Sequence, residues 1–538
     1  MEQPPVPPAV DEPSEVAPLP PSEELNPNQV TLPAGEEVRN STASSNADRD
    51  KFDIAVNSTG GAKVAEGDDK MAVFEKWLLE NGSKYPQLEM REYDEEVRGV
   101  HAKEDISPDV NIVEIPLCCL ITVEMGKQTE VGQAVLAANL DLDAPKHVFL
   151  MLYMLIDRKD PNSFFKPYYD ILPPTLSNMP IFWSEEELRW LDGSYLQTQI
   201  EDRKFAIEND YSSICELCPN FANIATLDDF KWARMCVCSR NFGLVINGTR
   251  TSAMVPLADM LNHYRPRETK WTFDNKLQAF TITTLMNITG DAQVYDSYGQ
   301  KCNHRFLLNY GFSIENNVEP DGFCPNEVPI EFKLNPNDPI FERKATFWRA
   351  DSGPMIKRIR VCVSDNENTR VAFSFLRVMV ATPEEFELME GNSRFIYRTA
   401  KDIRFPFGLR NERAALEVLA SICEEYLSKY PTTLEEDKTL LASGDLKPFS
   451  NHRHAVIQII GEKNVLHHYL ELARLALGII DRNDPLNDEQ QSELYATKHQ
   501  HMVDYCVNVV GQIRRHEQAK AKALASPVRQ MSAGPTII

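Results

Sequence analysis

The sequence predicts an α+β protein: a β-rich domain interrupted by a helical insertion, followed by an all-α C-terminal domain. Three observations lead there. Residues 131–239 repeat apolar side chains at helical spacing, in HVFLMLYMLI and again in Asp228–Cys238. Leu244–Tyr298 changes to short segments punctuated by Gly, Asn and Pro, the texture of strands and turns. Beyond about residue 330 the helical pattern returns, with a capping box at Thr433-x-x-Glu436 and long runs over Ala455–Ile480 and Asp488–Ala525.

Taken in order, residues 1–68 come first and differ in composition from the rest. Ten prolines fall within the first 33 residues, followed by Ser, Asn, Thr and acidic residues with few large apolar ones. Such a segment cannot bury enough surface to offset its ordering entropy, so disorder is expected. A plain solvated leader is preferred over a proline-rich docking tail. An amphipathic helix is expected over Met71–Asn81, closed by Gly82, then strands at Gly99–Ala102 and Asn111–Ile115. The β-rich domain spans 69–318 with its insertion at about 131–230. The helical domain spans 330–525, and 526–538 form a frayed tail.

Bulk composition narrows the function. A 538-residue chain with 42% hydrophobic and 25% charged residues has ample core for two or three domains. The net charge of −24 argues against nucleic acid, because phosphate contacts need a basic face. No apolar run approaches the length of a membrane span. There is no apolar stretch near the N-terminus and no basic residue before Arg39, so a cytoplasmic protein is expected, with the nucleus also open to it. Eleven scattered cysteines suit reduced thiols. Cys215–Cys218 and Cys236–Cys238 together suggest a four-thiolate zinc site. However, Cys236 and Cys238 lie two apart in a helical pattern and point to different faces. No metal is expected.

The chemistry concentrates between Pro256 and Phe312. PLADMLNHY puts Asp259, Asn262 and His263 directly after an apolar run, and Tyr298 and Tyr310 follow Asn262 by 36 and 48 residues. His263 alone would be read as a hydrogen-bonded core histidine. Its neighbour Asn262 and the downstream tyrosines turn the reading toward a cofactor pocket beside a phenolic site. Tyr310 as a core aromatic, Arg240 as a plain ion pair and Glu96 as part of a solvated acidic turn are the bland alternatives. The pairs His452/His454 and His467–His468 are read as surface helix.

RGVHAKEDI (Arg98–Ile106), CSRNF (Cys238–Phe242), PLADMLNHY and YDSYG…LLNYGF together resemble the SET-domain protein methyltransferases. More narrowly they resemble the Rubisco large-subunit lysine methyltransferase group, and the likeness extends over roughly residues 71–510, including YPTTLEEDKTLL. The resemblance implies a SET domain with a helical insert, a helical substrate-binding domain, and S-adenosylmethionine as methyl donor. It implies that Asn262 and His263 hold the donor, with Arg240 at its carboxylate end. Glu96, Arg98 and Gly99 would form the first cofactor loop, Tyr298 would be the catalytic tyrosine, and Phe312 would pack on the adenine. Val97 stands where the group's loop has a glycine; a β-branched residue tolerates positive φ poorly, so the loop must run differently.

The acceptor was also read from residues. Tyrosine hydroxyls can accept from an amine and orient its lone pair without adding charge. A branch of the same family methylates a histidine of actin and carries Asn two residues after the arginine, where this chain has Phe242. An aromatic wall suits an alkyl-ammonium stem and leaves an imidazole nitrogen unpaired. With Tyr310 before Gly311–Phe312, the expectation is a protein lysine, with Phe242 and Tyr310 contacting it. Protein histidine and a catalytically weak binding scaffold remain the alternatives. The expected partner is a protein substrate, without nucleic acid or membrane, and the chain is expected to be a monomer.

Overall fold

The computed structural model describes residues 70–94, 97–349, 356–364, 367–391, 406–482 and 484–525. The leader and the tail beyond Ala525 lie outside these residues, as does Glu96. Helix α1 (Lys70–Glu80) buries Phe74, Trp77 and Leu78 and ends at Gly82, whose φ of 87° is left-handed. An antiparallel ribbon follows, β1 (Leu88–Asp94) with β2 (Val97–Ala102). Next come β3 (Asn111–Pro116) and the short β4 (Ile121–Thr122).

The insertion is helical as its periodicity requires. Among its helices are α2 (Pro145–Asp157), α3 (Leu196–Leu217) and α4 (Leu227–Arg240). Helix α2 buries seven residues from Val148 to Leu155 and so faces protein almost all round. Helix α4 opens on a reciprocal capping box in which Thr226 accepts from the Asp229 amide and Asp229 accepts from Thr226.

The chain then turns to strands. β5 (Asn241–Ile246) and β6 (Thr249–Met254) form a hairpin over Asn247–Gly248, with φ values of 49° and 81°. Asn-Gly with both φ positive is the turn whose twist matches the flanking strands. A second hairpin, β8 (Thr269–Asp274) with β9 (Ala279–Thr284), continues through β9 onto β3. Between the hairpins lies β7 (Asn262–His263), paired in parallel with β10 (Tyr295–Asp296). Small sheets packed edge to face thus surround the Asn262–His263 pair. Helix α5 (Asn303–Tyr310) closes this region.

The C-terminal region is mainly helical, with α6 (Glu367–Val380), α7 (Leu409–Leu427) and the 31-residue α8 (Asn451–Asp481). It differs from the all-α expectation in one ribbon, β11 (Glu327–Phe332) with β12 (Lys357–Cys362). β11 alternates half-buried and buried residues, a period-2 signal masked in sequence by its proline and two glutamates. The run Asp488–Ala525 is also not one helix. It breaks where Lys498 and His499 turn extended, and a π-helical turn, Tyr505–Val510, precedes Gly511–Ala525.

That π turn places Tyr505 against a buried ion pair. Arg377 on α6 grips Glu412 on α7 through two hydrogen bonds of 2.9 Å, and the Tyr505 hydroxyl donates to the same carboxylate. The two side chains are 4% and 0% exposed, so neither charge has solvent to fall back on. Glu412→Ala should remove the carboxylate that accepts both of these Arg377 hydrogen bonds and cost about 3–5 kcal/mol. Chemical denaturation of the intact chain checks this, and a loss under about 1 kcal/mol would contradict it.

Candidate active site

Helix α4 ends on Arg240 and passes without a loop into β5, where Asn241 is already extended (φ −82°, ψ 150°). The guanidinium is carried inward. Arg240 Nη1 donates to Asp259 Oδ2 at 3.0 Å and to the Asp259 carbonyl at 3.1 Å. Tyr168, from the insertion, donates its hydroxyl to the same Oδ2 at 2.8 Å. Asp259 sits in a tight turn entered through Leu257, whose backbone (φ 72°, ψ −49°) is strained for a residue with a side chain. Such a conformation costs about 1–3 kcal/mol and persists only where packing over-determines it. Leu257 is wholly buried.

Arg98 on β2 lies close enough to sense this group. Burial, and next the positive charge of Arg240, hold Arg98 below its ordinary pKa, with Asp259 opposing them in part. For Arg240 burial also works against the charge, but Asp259 and Tyr168 outweigh it and the net shift is upward. Arg240 Nε and Asp259 Oδ1 are buried without hydrogen-bond partners. Two guanidiniums flank one hydrogen-bonded carboxylate, with Glu92 also acting on Arg98, and Arg240 Nε is an unused donor. That combination suits a ligand carboxylate.

Asn262 fastens the two strands that frame this end. Its Nδ2 donates to the Arg98 carbonyl at 2.9 Å and to Gln293 Oε1 at 2.7 Å. The approach is close: a Cβ on Gly99 would lie 2.7 Å from Gln293 Oε1 and 3.0 Å from the Tyr93 hydroxyl. Val97 begins β2 opposite Asp94, within an irregular ribbon end. The backbone from Val97 to Ala102 therefore runs as strand.

The second half of the site is aromatic. Tyr298 follows β10 by two residues, and its backbone N–H donates to His263 Nδ1 at 2.9 Å. Nε2 therefore carries the imidazole proton, and it is buried without a partner. Burial, then Arg265 and Lys301, lower the His263 pKa to about 3, so the ring is neutral. The Tyr298 hydroxyl donates to the Leu261 carbonyl at 2.9 Å, leaving its lone pairs as acceptors. Burial foremost raises its pKa, so the phenol keeps its proton. The charges of Arg240 and Asp259 are felt there, joining the aromatic half to the charged half.

Tyr310 stacks on Tyr298, with ring centroids 4.8 Å apart and planes 22° from parallel. Phe306 and Phe312 stack at 5.1 Å beside them, and His263 contacts Tyr298, Phe306 and Phe312. Helix α5 ends here because Gly311 is left-handed at φ 79°; a side chain at 311 would collide with Asn178. Phe242 is placed differently. It is 9% exposed, and its aromatic neighbours are Trp271 and Phe280 in the sheet, at 5.3 and 5.0 Å.

Residues 335–466 match the family described as Rubisco LSMT substrate-binding. The SET domain of LSMT bound to lysine and AdoHcy superposes with a TM-score of 0.64 at 23% identity, over 80% of this chain and 97% of that one. Rubisco LSMT bound to AdoMet gives 0.63 at 22% identity, over 81% and 98%. The chain has the fold of Rubisco LSMT. The actin-histidine N-methyltransferases of Homo sapiens and Callithrix jacchus are each 27% identical to it. Those matches take in 73% of this chain but 66% of each relative, just under two thirds of their length. The LSMT likeness read from the sequence motifs is thereby borne out.

Within this LSMT fold Arg98, Gly99, Arg240, Asn262, His263, Tyr298, Tyr310 and Phe312 converge. Phe242 packs into the adjoining sheet. Sequence reading passed over Tyr168 and Gln293 and gave Asp259 no role. Asp259 sat in view in PLADMLNH. Tyr168 lies 91 residues from its partner, in a KPYYD segment with no local cue.

The buried neutral histidine has a pH consequence. His263 titrates near 3 in the fold and near 6.5 when unfolded, so the unfolded state binds the extra proton between those values. Its stabilising contribution is complete above about pH 6.5 and is lost as pH falls toward 3. His263→Asn should make the loss of stability below pH 6.5 shallower, by at most about 1.4 kcal/mol per pH unit. Denaturation midpoints at pH 7, 6, 5 and 4 check this, and an unchanged slope would refute it.

Proposed function

We propose that this chain is an S-adenosylmethionine-dependent protein methyltransferase whose acceptor is a lysine side chain, working in the cytoplasm as a monomer. The single observation that carries the reading is the junction of a charged Arg98/Arg240/Asp259 end with the stacked Tyr298–Tyr310 pair. The first suits the carboxylate of an amino-acid-like cofactor; the second suits a neutral amine. The donor supplies a methyl group on a sulfonium, ready for in-line displacement without metal or covalent enzyme intermediate.

The residues then have separable tasks. Arg240, oriented by Asp259 and Tyr168, and Arg98 receive the donor's carboxylate. Asn262, His263 and Phe312 hold its remaining length, with Gly99 leaving room beside Gln293. Tyr298, its own proton committed to Leu261, offers an oxygen lone pair to an amine N–H. Tyr310 forms the facing wall. A lysine at pH 7 lies about three units from neutral, an adverse ~4–5 kcal/mol. Apolar walls and a nearby cation both lower that cost. Loss of the ammonium proton to solvent precedes transfer, so no protein carboxylate is needed as base.

The helical region from 330 onward is the surface for a protein substrate, in keeping with the family matched at 335–466. Histidine is the second reading, favoured by the curated relatives' activity on actin. The stacked Tyr298–Tyr310 pair favours lysine, because an aromatic wall suits an alkyl-ammonium stem.

Two measurements test this. Tyr298→Phe should lower turnover about 100-fold or more while cofactor affinity, by calorimetry, changes less than about threefold. Equal turnover would remove Tyr298 from the chemistry, and no S-adenosylmethionine binding by the unaltered chain would leave a binding scaffold. Incubation of cell extract with labelled donor, followed by mass spectrometry, should place label on lysine. Label confined to histidine would reverse the choice of acceptor.

A further inference from the structure

Outside the methyl-transfer site, one set of side chains combines the chemistry and spacing of metal ligands. Cys302 caps the N-terminus of α5, His304 lies in its first turn, and Glu327 opens β11. Cys302 Sγ is 3.4 Å from His304 Nε2 and 3.9 Å from Glu327 Oε1, and His304 Nε2 is 3.9 Å from the same oxygen. Tetrahedral zinc with thiolate, imidazole and carboxylate ligands has edges of about 3.3–3.6 Å between ligand atoms. One edge already fits, and the other two share Glu327, whose side chain is 20% exposed and has room to move. The four-cysteine arrangement weighed from sequence does not assemble: among the described residues, this is the one set of three or more such side chains that converges.

We propose that Cys302, His304 and Glu327 form a structural zinc site. A second observation supports it independently of spacing. His304 Nδ1 is hydrogen-bonded to the buried Tyr195 hydroxyl, which fixes the ring and turns Nε2 toward the cysteine and glutamate, as a ligand histidine is held by an outer partner. On binding, the Cys302 S–H bond breaks, S–Zn forms and the proton passes to solvent. Arg360 Nε stands 3.7 Å from Glu327 Oε1 and competes for that carboxylate, so Glu327 must turn from Arg360 to the ion.

The position explains what the ion would do. The adjoining cavity is lined by Asn326, Gln458, Gly461 and Glu462, so the site joins α5, β11 and α8. Helix α5 carries Tyr310 at its other end. Zinc would therefore clamp the aromatic wall of the methyl-transfer site to the helical region, whether or not that site methylates lysine.

The test uses the full-length chain under reducing conditions, metal-stripped and then equilibrated with stoichiometric Zn²⁺ or Co²⁺. One zinc per chain by plasma mass spectrometry, a thiolate-to-cobalt charge-transfer band, and a rise in melting temperature on loading are expected. Cys302→Ser and His304→Gln should each abolish the stoichiometric binding, and Glu327→Gln should weaken it at least tenfold without a change in circular dichroism. Cys215→Ser/Cys218→Ser should leave it unaltered. Failure of the unaltered chain to take up zinc overturns the proposal, as does retention of zinc by folded Glu327→Gln at undiminished affinity. Loss of binding in the Cys215→Ser/Cys218→Ser variant, with retention in Cys302→Ser, also overturns it.

Discussion

Among the described residues, Asp259 is the carboxylate bonded to Arg240, and Tyr168 and Arg98 are arranged around it. Removing an ion from water costs several kcal/mol, so a buried carboxylate must be held by strong donors; here they gather on Oδ2, and Oδ1 is buried without a partner. Here the donors come from two distant stretches: Tyr168 from the insertion and Arg240 from the junction of α4 and β5, which also donates to the Asp259 carbonyl. That demand fixes the insertion against the sheets and holds the strained Leu257 turn in place. Because the turn leads directly into Asn262–His263, the same carboxylate sets the position of β7. Asn262 then sets β2 through its hydrogen bond to the Arg98 carbonyl, while its second holds Gln293, which is bridged to His101 of β2. The chain of dependence runs from one buried charge to both strands that frame the site.

A second dependence links the aromatic half to the C-terminal region. Helix α5 is eight residues long, too short to hold a catalytic geometry on its own hydrogen bonds. Its exit is fixed by Gly311 against Asn178, and the Ser313 N–H donates to His454 on α8 at 3.1 Å. Arg453, one residue before, pairs with Glu315. A buried knot of Glu462 with Ser194, Tyr430 and Gln458 holds the same face of α8 to the insertion. The Tyr298–Tyr310 stack is thus built by the SET-like strands on one side and secured by the helical region on the other. A surface engaged by a protein substrate along α8 would be one packing layer from the acceptor wall.

What could be read from sequence follows the range of each interaction. Helices α2, α4 and α8 announce themselves by apolar periodicity, and the Asn247–Gly248 hairpin by its turn residues. Both signals act within about a dozen residues. Asn262, His263, Tyr298 and Tyr310 were legible because their elements lie close together in the chain. Tyr168 and Gln293 were not, since a tyrosine in KPYYD and a glutamine in DAQVY acquire meaning only from partners far away. Phe242 shows a different limit. It was expected to contact the acceptor, but the face it presents depends on β5 register, and its aromatic neighbours are Trp271 and Phe280 in the sheet. The break at Lys498–His499 had no glycine or proline to mark it.

The electrostatic state of the site argues for one class of chemistry over another. His263 is held neutral, Tyr298 keeps its proton, and Asp296, which burial raises to about 6, accepts from the Ser297 N–H and is 4% exposed. His263 and Tyr298 are not arranged as general bases, and the Asp296 carboxylate is buried and accepts from its neighbouring backbone N–H. The site instead supplies position: a fixed phenolic oxygen, flat aromatic walls and a charged end that grips from a distance. Reactions limited by alignment, with the proton leaving to water beforehand, gain most from such a site. Those that require a proton to be pulled off within the transition state gain little. The positive charge of Arg98 and Arg240 sharpens the point, because a second cation entering alongside it is disfavoured until it sheds its proton. On the proposed reading, an amine acceptor would be selected in its reactive form by the same charges that would hold the donor.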